Sequence, residues 1–201
     1  MKKWFLSGML LLAFTQCREA LKREPQNAIG KAERGVVHNA ESARDIAMEV
    51  QLTLGKTLMQ HMQSEGVLEA ISYCNVNALP ITDSISKIKG VKIQRVTDRP
   101  RNPTNEASPK EVVLMNQIRN SKNGEILPED LRIVQGESVA YYLPIKTADL
   151  CLKCHGSPER DLNAEAAAKI AILYPDDQAV GYGANELRGL WKVTYTTTSN
   201  Q

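Results

Sequence analysis

Val139-Ala140-Tyr141-Tyr142-Leu143-Pro144-Ile145, followed five residues later by Cys151-Leu152-Lys153-Cys154-His155, is the stretch from which the rest of the chain can be read. The first segment is rich in β-branched and aromatic residues and reads as a strand. The second carries its chemistry at helical spacing: residues three and four apart share a face, so Cys151, Cys154 and His155 point the same way. Cys-x-x-Cys-His is the attachment signature of a c-type haem. Two thiols on one face can form thioether bonds to the two vinyl groups of a porphyrin, and the imidazole beneath the ring can bond the iron as an axial ligand. A Cys-x-x-Cys pair alone would also suit a disulfide or half a zinc site. Zinc needs four ligands, usually from two such knuckles, and this chain has one.

Working outward, Ala164 to Ile172 begins with helix formers and ends in β-branched residues, so it fits helix or strand. Gly181-Tyr182-Gly183-Ala184-Asn185 is a turn, and Leu187 to Thr197 reads as the last strand. Upstream, Val91-Lys92-Ile93-Gln94-Arg95-Val96 alternates and predicts a strand. Residues 99–109 hold three prolines, which remove backbone donors and fix an extended loop. Residues 111–119 are expected to be helical. A long helix is expected from Ser42 as N-cap, with Ala43, Ala47, Val50, Leu54, Leu58 and Met62 forming one apolar stripe. Gly66 ends it, and a second short helix from Val67 to about Cys74 puts Val67, Ala70, Ile71 and Cys74 on an inward face. Helices, a strand, a loop and helix, then strands: the order predicts an α+β domain with a central antiparallel sheet.

The chain has 201 residues, enough for one domain with a core. Its formal charge of +2 comes from Lys2 and Lys3, the only charges before Cys17, so beyond them 23 basic residues face 23 acidic ones. That balance gives no electrostatic case for nucleic acid or an anionic membrane surface. Residues 1–16 read as an export signal: two lysines, then an apolar run from Trp4 to Phe14, 11 residues against the roughly 20 that span a bilayer. Cys17 stands where a bacterial lipoprotein signal ends, although Phe14-Thr15-Gln16-Cys17 departs from the Leu-small-small-Cys pattern; cleavage elsewhere is the competing reading. The expected organisation is a signal over 1–16, a polar tether over 17–40 and a haem-binding domain over 41–198. The protein is expected on the periplasmic side, held to the membrane only through a lipid on Cys17. With Cys17 lipidated and Cys151 and Cys154 on haem, Cys74 is left as an unpaired thiol in an oxidising compartment, which needs a reason.

Several blocks together resemble a bacterial family of exported single-haem c-type domains with a PAS-like fold, long known only as a domain of unknown function and first represented structurally by a cyanobacterial haem protein. They are the long helix followed by Ala70-Ile71-Ser72-Tyr73-Cys74, then Arg101-Asn102-Pro103 with Asn105 and Ala107, Glu111, Cys151 to Gly156, and Tyr174-Pro175 with Asp177, Ala179, Gly181-Tyr182 and Leu187-Arg188-Gly189. The likeness covers roughly residues 40–197. Relatives often have an aromatic residue where this chain has Lys110 and an Asp where it has Asn185. The resemblance implies a five- or six-stranded PAS-like sheet packed against helices, one haem c in a cleft beside the sheet, and an axial pair of His155 with a thiolate at Cys74.

Other candidates compete for the sixth iron position. His61 borders the apolar stripe, where a lone histidine is more often structural, and His38 lies in the polar lead-in. Met48, Met59, Met62 and Met115 read as core or surface filling. Arg99 and Arg101 are candidates for haem propionate contacts because a guanidinium matches a carboxylate, with a solvated proline-rich loop as the equal alternative. Arg188 is a weaker candidate of the same kind, and Tyr141, Tyr142 and Tyr182 could line a pocket or be half-buried strand residues.

Three functions fit: a redox or small-gas (CO/NO) sensor module that signals through a partner, a single-haem electron carrier, and, far behind, a thiol-disulfide oxidoreductase. No Ser/His/Asp set and no phosphate-binding glycine loop points to an enzyme.

Overall fold

The computed structural model describes residues 39–121 and 131–196. The signal, Cys17, His38 and nearly all of the tether lie outside the described residues. The chain forms helix α1 (Ala40–Ser64), helix α2 (Val67–Lys89), strand β1 (Lys92–Val96), a single 3₁₀ turn (Pro103–Asn105) and helix α3 (Pro109–Asn120). Strands β2 (Arg132–Gln135) and β3 (Ser138–Lys146) follow, then helices α4 (Asp149–His155) and α5 (Ala164–Leu173), and last strand β4 (Leu187–Thr196). The strands make one antiparallel sheet in the order β1-β4-β3-β2. This is the α+β, PAS-like arrangement expected, with four strands among the described residues rather than five or six. Residues 97–108 contribute one bridge, Thr97 to Glu106, because the prolines there cannot supply a ladder of donors.

Alternation of side chains separates two cores. On one face Ile93, Tyr141, Trp191, Val193 and Tyr195 pack beneath Ala43, Ile46, Ala47 and Val50 of α1 and Ile85 of α2. On the other, Val96, Ala140, Tyr142, Leu187 and Leu190 meet Leu114 and Met115 of α3. No helix among the described residues is long and apolar enough to cross a membrane.

Two helices differ from expectation. The N-cap of α1 is Asn39, not Ser42: Asn39 Oδ1 accepts from the Ser42 amide at 2.7 Å, and Ser42 Oγ accepts from the Asn39 amide at 3.3 Å. That reciprocal box satisfies two orphan donors at once, so it fixes the start one turn earlier. Helix α2 does not stop near Cys74 but runs on through Pro80 to Lys89. Buried Thr82 and Ile85 continue the inward face begun by Ala70 and Ile71, and that burial outweighs the hydrogen bond lost at the proline. The ambiguous 164–172 segment is helix, started by Asn163 accepting from the Ala166 amide at 2.6 Å.

Candidate functional site

Helix α4 presents Cys151, Cys154 and His155 from one short element, as the spacing requires, and all three are half-buried. What orients them comes from elsewhere in the chain. Segment 177–182 lies along the end of α4: the Gly181 amide donates to Gly156 O at 2.8 Å and the Tyr182 amide to His155 O at 2.9 Å. Asp177 Oδ1 accepts from the Ala179 amide at 2.8 Å, which sets the Ala179 carbonyl. His155 Nδ1 donates to that carbonyl at 2.8 Å. A carbonyl can only accept, so the imidazole proton sits on Nδ1 and Nε2 keeps its lone pair. Burial, with the charges of Arg101, Arg188 and Arg95, drives the His155 pKa well below its ordinary value, so the ring is neutral. A neutral imidazole with a pinned Nδ1–H is the form that ligates a metal.

A Cβ at Gly156 would run into Asp161 Cβ and lie 2.6 Å from Leu152 O, so the tight return of the chain at the end of α4 requires glycine.

Cys74 and Cys154 belong to one neighbourhood. Cys154 packs against the cluster of Ile71, Leu162, Ala166 and Ile170, and Ile71 lies one helical turn before Cys74 on α2. Cys74, Cys151 and Cys154 are free thiols. Burial pushes the Cys74 thiol up, while Arg95 and Arg101 pull the other way. Burial pushes Cys154 up to about 11, opposed by Arg101. That is opposite to the lowered pKa a nucleophilic thiol needs.

Four arginines surround these groups, and they divide by what they hold. Arg99 is committed to its loop: Nε donates to Gln178 O at 3.3 Å, Nη2 donates to Val180 O, and the guanidinium lies 4.2 Å over Tyr182. Arg101 pairs with Asp177 at 2.9 Å and donates to Cys154 O at 2.6 Å, leaving its Nε buried without a partner. Arg188, 7% exposed, donates from Nη1 to Thr97 Oγ1 at 3.1 Å and to Arg99 O at 3.3 Å. Arg95 lies 5.0 Å over Trp191. The Nε atoms of Arg95 and Arg188 and the hydroxyl of Tyr182 are also buried without partners.

The other candidates fall into plain roles. His61 stacks on Tyr73 with centroids 3.8 Å apart and faces Glu65 at 3.3 Å. Met115 is fully buried core, and Met48 is 45% exposed. Tyr141 is core, and Tyr142 donates to Glu111 Oε1 at 3.0 Å. Tyr182 stands edge-on to His155 with centroids 6.4 Å apart. Lys110 is exposed at the start of α3, and Asn185 occupies a left-handed turn position at φ 62, which Asn and Asp both tolerate. Among the described residues, no cluster of three or more His, Cys, Asp or Glu is placed to hold a bare metal ion.

Two features of the site lie outside the sequence-based expectations, and only one of them is invisible to the pattern. Ala179 acts through its backbone carbonyl, which no residue type advertises. Arg95 gave a readable signal: it lies two residues after buried Ile93, so strand alternation turns it inward.

Residues 22–196 match the model of the Tll0287-like family. The fold is similar to the crystal structure of the cyanobacterial heme-protein Tll0287, with a TM-score of 0.59 and 22% identity over 81% of this chain and 99% of that one. No curated protein matches the chain.

Proposed function

The chain belongs to the Tll0287-like family, and on that footing we propose that it is an exported protein binding one covalent haem c, acting as a redox or small-gas (CO/NO) sensor that signals through a partner. The observation that carries the haem reading is the Nδ1–H of His155 on the Ala179 carbonyl, which leaves Nε2 free on the same helix as two unpaired thiols. The donor set fits the group: Cys151 and Cys154 for the thioethers, His155 for one axial position, Cys74 for the other. Arg101, its charge already matched by Asp177, stands beside them with its Nε–H open as a hydrogen-bond contact for a propionate. When bound, the haem would supply an iron that changes oxidation state and could take a small gas in place of one protein ligand.

The sensor reading rests on Cys74. Its buried surroundings favour the neutral thiol, so Cys74 would be a ligand whose hold depends on its protonation and on the oxidation state the haem would supply. Cys74 sits on α2, whose far end packs on the sheet core through Ile85. A change at Cys74 would therefore act on an element that also packs against the sheet core. The protein is read as a binding module rather than an enzyme, delivered across the membrane by residues 1–16 and tethered by lipid on Cys17.

Electron transfer is the second reading, favoured by the half-buried state of Cys151, Cys154 and His155, which leaves an edge of the site within reach of a redox partner. The high thiol pKa of Cys154 weighs against thiol-disulfide exchange. A pyridine haemochrome spectrum of the matured protein, followed by titration of its reduced form with CO and NO, tests the proposal. A c-type spectrum with gas binding supports the sensor, a c-type spectrum without it supports the carrier, and no haem overturns both.

A further inference from the structure

Three guanidiniums, those of Arg95, Arg101 and Arg188, act on the surroundings of His155, and one carboxylate, Asp177, pairs with Arg101. Arg188 is 7% exposed, and its partners, the Thr97 hydroxyl and the Arg99 carbonyl, are both uncharged. Arg95 has the Trp191 ring and no hydrogen bond among the described residues. Each keeps a buried Nε–H with nothing to donate to, and the Tyr182 hydroxyl beside Arg188 is buried and unpartnered as well. A buried charge without a counter-charge is costly to the fold. A fold that holds two such charges with their donors open is complementary to anions it does not itself contain.

We propose that Arg95 and Arg188 are the counter-charges for the two carboxylates of the bound haem, with the Tyr182 hydroxyl as an additional donor. This rests on the haem reading of the same site. The charges then close. A ferric porphyrin core of +1 is balanced by one thiolate, the two propionates are balanced by Arg95 and Arg188, and Arg101 is balanced by Asp177. A guanidinium suits the task because its planar fork donates in parallel to both oxygens of a carboxylate. The two arginines come from β1 and β4, which are paired (Arg95 lies opposite Trp191), so their spacing is set by the sheet and not by a mobile loop.

The test is resonance Raman spectroscopy of the full chain matured in a periplasm, reading the propionate bending band. Arg95→Gln and Arg188→Gln are each expected to shift that band, while Lys146→Gln, at an exposed position on β3, leaves it in place. Should Arg188→Gln fail to fold, Arg188→Lys keeps the charge but not the fork and is expected to shift the band less than a full loss would. A red protein in which the Arg95 and Arg188 variants keep the wild-type band overturns this assignment alone. A colourless wild type overturns the haem reading and this assignment with it.

Discussion

His155 Nδ1 and the carbonyl oxygen of Ala179 are 2.8 Å apart, and this one hydrogen bond fixes both the tautomer and the aim of the imidazole. The carbonyl is itself held by the Asx turn of Asp177, whose other oxygen pairs with Arg101. Arg101 in turn donates to Cys154 O. The ligand helix α4 and the 177–182 segment are thus one hydrogen-bonded unit. This gives a physical reason for the block Asp177, Ala179, Gly181-Tyr182 to accompany the Cys-x-x-Cys-His motif.

Haem is expected to be covalent. Matured with a c-type system in a periplasm, the protein should stay red in acidified acetone, and Cys151→Ala/Cys154→Ala should lose all of that colour to the solvent. Complete extraction from the wild type would sink the reading.

Cys74→Ala is expected to raise the reduction potential, shift the ferric Soret band and open the iron to exogenous ligands, because a thiolate donor favours the oxidised metal. His61→Ala should change none of these, since its ring is engaged with Tyr73 and Glu65. Spectra and potentials of the two variants decide the matter; the reverse pattern would move the ligand to His61.

How far the sequence carried this picture depends on what kind of signal each feature leaves. The stripe of α1 is legible because burial repeats at 3.6 residues, and its Ala43, Ala47 and Val50 are buried as expected. Strand β2, Arg132-Ile133-Val134-Gln135, left no reading because four residues with three largely exposed carry too little alternation. Helix α2 was expected to end near Cys74, and it runs past that point and through Pro80 to Lys89 because Thr82 and Ile85 carry its buried face onward. At the site, spacing shows Cys151, Cys154 and His155, whereas the group that orients His155 is a backbone carbonyl brought from 24 residues away. Tertiary contacts of that kind leave no local pattern.

Two glycines should respond oppositely to alanine. Gly55 sits in exposed α1 with nothing within 4 Å of a new Cβ, so Gly55→Ala should stabilise by about 1 kcal/mol through helix propensity. At Gly189 of β4 a Cβ would lie 2.8 Å from the Val96 carbonyl of the neighbouring strand, which cannot yield cheaply. Gly189→Ala should destabilise by roughly 1–3 kcal/mol. Urea denaturation midpoints of the two variants check both signs.

Cys17→Ser should move the protein from the membrane fraction to the soluble periplasm. Fractionation reads this directly, and a variant that stays with the membrane would count against the lipid anchor while leaving the haem site untouched.

Glu111 should make the fold acid-sensitive. Its carboxylate is buried on the α3 side of the sheet, where it accepts from Lys192 at 2.8 Å, Tyr142 at 3.0 Å, and the Ser108 amide and hydroxyl at 2.8 and 2.9 Å. Burial alone would raise its pKa, but the hydrogen bonds from Lys192 and Ser108 outweigh it and hold the group below its usual value. The folded pKa is depressed, so the unfolded chain binds the proton more tightly. The stabilisation is therefore complete above the unfolded-state value of about 4.3 and is lost as pH falls from there through the lower folded value. Glu111→Gln should flatten the stability profile in that acid window. At neutral pH Glu111→Ala, which strands Lys192 and Tyr142, should cost about 3 kcal/mol, the low end for a broken buried pair because Lys192 still touches water. Denaturation curves of wild type and Glu111→Gln from about pH 3, below the carboxylate range, to about pH 7, well above it, measure it. Parallel profiles for the two proteins would show that Glu111 is not the group that titrates.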